Sequence, residues 1–274
     1  MRGKLIAVAA LVGLVGGTAW GQTPQTACTS PTVTNAQRIE GCTAIITSGG
    51  ASGPQLAVAY NNRGVSYNAE RQYDRAIADL NEAIRIEPRY AEALYNRGNV
   101  YESMGAYDSA LRDFDDAIKL NPDYAVAFDG RGRLYYVRGQ LERAIEDFSQ
   151  AIRLNPSYPD AWSNRCVTRA RAGDLQEALS DCDAALKFRP GNVATLDGRG
   201  FVYLKMKRYD EAIADYNAAL KADPNFASSL FGRGIAKNLK SNGVIAGKAD
   251  IAAAKKIDPK IAKRFEQYGV TISE

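Results

Sequence analysis

The chain has 274 residues, 46% of them hydrophobic and 24% charged, the balance of an ordinary soluble folded protein. Its formal charge of +4 is spread without a Lys/Arg-rich patch, which argues against a nucleic-acid or anionic-membrane surface. Histidine is absent, removing the commonest general acid–base group and metal ligand, and Cys28, Cys42, Cys166 and Cys182 lack the close C-x-x-C pairs of structural zinc; we expect no cofactor, metal or catalytic cluster.

The first 21 residues read as an export signal. Arg2 and Lys4 give a positive start, residues 5–17 are apolar with small residues, and Ala19-Trp20-Gly21 suits cleavage after Gly21. The apolar run is short for a bilayer span, although a retained anchor is the alternative. The expectation is a periplasmic or secreted protein, with no membrane insertion after cleavage, in a compartment that permits disulfides. Residues 22–56 form an N-terminal extension. Its first part, 22–34, is rich in Thr, Pro, Ser and Gln and reads as extended. A helix follows from Asn35 or Ala36 to about Ser48, with Ile39, Cys42, Ile45 and Ile46 on one face, and the Gly/Pro-rich stretch 49–54 ends it.

From residue 57 the chain repeats itself every 34 residues. Gly64 recurs as Gly98, Gly132, Gly200 and Gly234, with Cys166 in the fourth copy; Ala76 recurs as Ala110, Ala144, Ala178 and Ala212; Pro88 recurs as Pro122, Pro156, Pro190 and Pro224, then one residue late as Pro259. The copies run 57–90, 91–124, 125–158, 159–192, 193–226 and 227–261. Each holds two helical patterns around a break such as Gly105, and a proline ends the second, so each is a helix hairpin. A fixed period of this size means stacked units. Small Gly and Ala columns let the two helices approach, and bulky residues such as Tyr67 and Leu80 fill between them. A more polar helix over 260–268 closes the stack, with Lys260, Lys263, Arg264, Glu266 and Gln267 toward water; residues 262–274 are the expected cap.

Two charged columns run through all copies: Arg63, Arg97, Arg131, Arg165, Arg199 and Arg233, and Asp79, Asp113, Asp147, Asp181, Asp215 and Asp250. We expect an Arg–Asp ladder between helices, within or between adjacent repeats, that sets register. The fourth copy replaces the recurring tyrosine by Arg169 and the sixth by Lys237. Cys166 and Cys182 occupy facing columns of the fourth hairpin and are expected to bond; Cys28 and Cys42 are the remaining pair. The alternative for Cys166/Cys182 is a redox-active pair.

The Gly64, Tyr67, Ala76, Leu80, Ala83 and Pro88 pattern, kept in register through six copies, resembles the tetratricopeptide repeat (TPR) over about 205 of the 274 residues. The resemblance implies an all-α fold: a right-handed α–α superhelix (solenoid) of about six TPR helix hairpins, with an N-terminal helix and a C-terminal capping helix. It further implies a non-enzymatic scaffold binding a protein or peptide along the concave face lined by the first helices. The lining residues would include Asn62, Tyr95, Asn96, Asn99, Asp129, Arg133, Tyr136, Asn164, Asp197, Phe201 and Phe231. The basic cluster with which one subtype grips a partner's C-terminal carboxylate is absent. The asparagine column Asn62, Asn96 and Asn164 would suit a peptide backbone, or else satisfy a neighbouring helix. The competing readings are a self-assembling structural subunit and an enzyme or redox protein.

Overall fold

The computed structural model describes residues 23–241 and 246–270. The signal-like segment and the Asn242-Gly243 part of the sixth repeat's turn therefore lie outside the described residues. Everything described is helix, turn or loop. Six hairpins follow one another: α3 (Gly53–Ala69) with α4 (Tyr73–Ile86), α5 (Ala91–Ser103) with α6 (Tyr107–Leu120), and α7 (Ala125–Val137) with α8 (Leu141–Leu154). Then come α9 (Pro159–Ala172) with α10 (Leu175–Phe188), α11 (Val193–Lys205) with α12 (Tyr209–Ala222), and α13 (Ala227–Lys240) with α14 (Lys248–Ile257).

The second helix of each hairpin buries one narrow stripe. In α6 the stripe is Ala110, Phe114 and Ala117 beside Asp113, all buried, at helical spacing. Asn121 then turns extended ahead of Pro122 and the helix stops. Inside the hairpin, Gly105 and Gly139 take left-handed conformations (φ 75° and 74°), and Arg71 and Lys207 make the same turn (φ 58° and 61°) without the glycine that favours it. Packing is tight where the columns meet: a Cβ added to Gly132 would lie 2.8 Å from the Phe148 ring. In the fourth hairpin that pair becomes Cys166 and Cys182, a buried disulfide where the other hairpins place a small residue against a bulky one.

The ladder forms in all six repeats. Each arginine donates two hydrogen bonds, from Nε and Nη2, to the aspartate of its own hairpin; for Arg131 and Asp147 they measure 2.8 and 2.7 Å. Its Nη1 reaches back to the second helix of the preceding unit. Arg97 finds Asn81, Arg131 finds Asp115, Arg165 finds Ser149, Arg199 finds Asp183 and Arg233 finds Asn217. One side chain thus joins both helices of its own hairpin to the hairpin before. Where Arg169 and Lys237 replace the recurring tyrosine, each adds a second cation to the ladder aspartate, at 2.8 Å from Asp181 and Asp250. Burial works against the Asp250 carboxylate, but Arg233 and Lys237 together hold it below the usual range.

Both ends differ from a simple lead-in and cap. The stretch 22–34, expected to be extended, contains α1 (Pro24–Thr29), capped by the Thr23 hydroxyl and started by Pro24. It packs on α2 (Asn35–Thr47) and is bonded to it through Cys28–Cys42. Together they form a shortened hairpin ahead of the six. Thr43 on α2 even accepts from Arg63 Nη1 at 3.0 Å, the role that the preceding second helix plays elsewhere. At the other end, α15 (Ile261–Gln267) follows α14 as an unpaired first helix. Its four polar residues and the preceding Lys260 are exposed as expected, while Ile261 and Phe265 are buried.

Each first helix touches the first helix of the next hairpin, whereas among the described residues second helices do not touch one another. First helices therefore crowd the inner side of the stack, and that side is the concave face.

Candidate protein-binding groove

The expected lining residues all sit on first helices, but they are not equally exposed. Polar side chains link neighbouring first helices. Asn96 Nδ2 donates to Asn61 Oδ1 at 2.9 Å, and Asn164 Nδ2 to Asp129 Oδ1 at 2.8 Å. Asn62 Nδ2 donates to the Cys28 carbonyl at 3.2 Å, and Ser228 and Ser229 both donate to Asp197. The asparagine column accordingly satisfies neighbouring elements. Asp129 is 1% exposed, and burial pushes its carboxyl upward against the pull of Arg133, Asn164 and Tyr158. Asp197 is pushed up to about 6, first by burial, with the two serines and Arg264 opposing.

Three of the lining assignments need correction. Asp129 is buried between helices. Tyr95 is half-buried and packs its ring on Phe114 and Tyr124, with centroids 5.8 and 5.5 Å apart. Phe201 and Phe231 are 6% and 0% exposed because α15 lies over them. Phe265 sets its ring 5.8 Å from Phe201 and 4.8 Å from Phe231, and Tyr268 reaches Phe201 at 5.9 Å. The sequence shows aromatic residues on α11 and α13 but not that a segment more than thirty residues away covers them.

Arg133 organises the middle of the face. It donates to Asp129 at 2.5 Å, to Glu102 at 2.8 Å and to Asn99 at 3.4 Å, bridging two repeats. Burial opposes its charge, but Glu102 and Asp129 hold the guanidinium above its ordinary range. Toward the C-terminal end Tyr136 stacks on Arg171, whose Cζ is 4.4 Å from the ring centroid. The Tyr136 phenol is pushed up to about 12 by burial and by Tyr268, with Arg171 opposing. Arg171 and Tyr268 were not among the expected residues; the aromatic pair Phe265 and Tyr268, one helical turn apart, was the available signal.

At the N-terminal end the face is open. Thr29, Arg38, Asn62, Val65, Glu92 and Asn96 line a cleft of about 230 Å³ between the disulfide-bonded hairpin and the first two repeats. Val65 is 36% exposed there. The cleft presents one acid, one guanidinium, a hydroxyl and an aliphatic side chain beside the two asparagines already bonded to neighbouring elements, a mix of polar groups with a small apolar contact.

Models of the tetratricopeptide repeat match residues 91–124 and 198–226, and those of the TPR repeat residues 64–105 and 132–171. Together with the hairpin stack, these matches decide the family. The chain is a tetratricopeptide-repeat protein. The second helix of the fourth TPR unit, which carries Cys182, and the whole sixth unit, with its extra residue, fall outside the matched segments. Solved structures share the fold. YrrB, described as a TPR protein with an unusual peptide-binding site, is 23% identical over 71% of this chain and 98% of its own, with a TM-score of 0.54. A tetratricopeptide repeat protein from Parabacteroides merdae is 19% identical over 86% of this chain and 93% of its own, TM-score 0.63. Pseudomonas aeruginosa PilF is 16% identical over 77% and 96%, TM-score 0.64. No curated protein of assigned function matches the sequence. The TPR fold is that of a protein–protein interaction scaffold.

Proposed function

We propose that this protein is a non-enzymatic scaffold of the cell envelope that holds a protein or peptide segment on the N-terminal half of its concave face. The observation that carries the reading is the open cleft between Thr29 and Asn96, walled by a hairpin that Cys28–Cys42 locks in place. A rigid, pre-formed wall lowers the ordering cost of binding. The two buried disulfides favour an oxidising compartment. No described helix is long and apolar enough to cross a membrane. Both Cys166 and Cys182 are 0% exposed, so thiol exchange has no access and a structural bond fits better than a redox pair.

The test is affinity capture from envelope extract with the wild-type chain and with a Val65→Arg/Glu92→Arg variant. Both positions are exposed, so the fold is kept. A specific partner should be retained by the wild type and lost by the variant. If every captured protein binds the variant equally, the cleft is not the binding site.

A further inference from the structure

We infer that Tyr136, Arg171 and Phe201 form an aromatic-recognition subsite of the groove, and that the chain's own Phe265–Tyr268 segment occupies it in cis. The inference rests on the concave face being the binding surface.

A cap for the last hairpin needs to cover only α13 and α14. Here Phe265 and Tyr268 reach Phe201 on α11, one unit further back. Tyr268 then reaches Arg171 on α9, two units back, whose Cζ is 4.6 Å from its ring centroid. Tyr136 on α7 lies against the same guanidinium, its ring centroid 4.4 Å from Cζ. The guanidinium is fixed there by an Nη1 hydrogen bond to the Tyr136 carbonyl at 3.4 Å. One ring of this stack belongs to the groove wall and the other to the tail. Without the tail, a cation–π face and the Phe201 ring would be open to a ligand.

The occupant is built to leave. α15 has seven residues, too few to be helical alone, so its order depends on the groove. Arg264 pairs with Asp258 of its own segment, and the contacts from α15 and Tyr268 to the first helices are ring and aliphatic apart from a Tyr268–Tyr136 side-chain hydrogen bond and the attraction of Arg264 for Asp197. The partner that fits is therefore a peptide segment carrying two aromatic side chains one helical turn apart. Such a segment would compete with Phe265 and Tyr268, and the groove would bind it only as the tail yields.

The probe is a fluorescein-labelled peptide of residues 258–270, with a second version carrying alanine in place of its tyrosine. Anisotropy titration compares the full wild-type chain with Phe265→Ala/Tyr268→Ala. We expect the double variant to bind the probe at least tenfold more tightly than the wild type. Alanine in the probe, or Arg171→Ala added to the double variant, should remove that gain. If circular dichroism shows the double variant unfolded, the single Tyr268→Ala chain carries the test, with about threefold tightening expected. Equal affinity for wild type and folded variant overturns the proposal, as does binding indifferent to the probe's tyrosine and Arg171. A wild-type dimer dissociated by the probe would place the tail in a second copy and overturn the cis assignment. The assay does not involve Val65 or Glu92, so its failure leaves partner capture at the N-terminal cleft standing on its own test.

Discussion

At the scale of single residues, two buried groups oppose the fold they sit in. Tyr216 fills the column that Phe114 and Phe148 fill elsewhere, and it is fully buried. Its hydroxyl has no hydrogen-bond partner, and the space for it exists only because Gly232 has no side chain; a Cβ there would lie 2.4 Å from the oxygen. An unpaired buried hydroxyl costs about 1–3 kcal/mol. Tyr216→Phe should therefore raise the unfolding free energy by about 1 kcal/mol, seen as a higher urea midpoint at unchanged slope. Asp197 is the second case. Its folded pKa of about 6 lies above the ordinary 3.8, so the native state binds the proton more tightly than the unfolded chain does. This group thus costs stability above pH 6, and the cost fades as pH falls toward 4. Its edge is partly exposed, which moderates the effect to about 1–2 kcal/mol. Asp197→Asn should be more stable than wild type at pH 7 and equal to it near pH 4; a gain that persists at low pH would point to a cause other than ionisation.

Among elements, the hairpins, α2 and the closing helix were legible, and α1 was not. The 34-residue columns located both helices of every repeat, the Arg–Asp ladder and Cys166–Cys182, because each is dictated by local periodicity and by what faces what across a hairpin. The helix α1 escaped because its Thr/Pro/Gln composition has weak helical preference, and six residues cannot hold a helix alone. It is held by the Thr23 cap, the bond to α2 and contact with α3. The ladder's contribution is testable. Arg131 and Asp147 have side chains 21% and 6% exposed, so Arg131→Leu strands a nearly buried carboxylate. We expect a loss of about 3 kcal/mol, partly recovered in Arg131→Leu/Asp147→Leu, because the pair resists removal of one member more than removal of both. An unchanged melting temperature for the single variant would show that the ladder carries little.

For the molecule as a whole, the groove was half legible. The family resemblance put the candidate lining residues on the first helices, which contact one another along the inner side. It could not reveal that Phe201 and Phe231 are covered, since that depends on where the last helix comes to lie, a contact outside any repeat unit. A stack also has no single core, so stability is shared between neighbours. The N-terminal end is pinned by a disulfide, whereas the C-terminal end relies on α14 of ten residues and α15 of seven. Hydrogen exchange read by mass spectrometry should therefore be slowest over α7–α12 and fastest over α13–α15; uniform protection would mean that the chain opens all at once.

The back-reaching Nη1 of the ladder arginines sets the step by which this protein can change length. Arg131 accepts Asp115 as a partner, yet its counterpart Arg97 uses Asn81 in the same place. Excising residues 91–124 as one block would bring Arg131 against Asn81, and the seam would close with a bond of a kind already present. Cutting half a hairpin would leave an arginine facing no acceptor. Growth and loss are thus quantised: whole hairpins can be spliced in or out, and the reach of the concave face is adjusted one hairpin at a time.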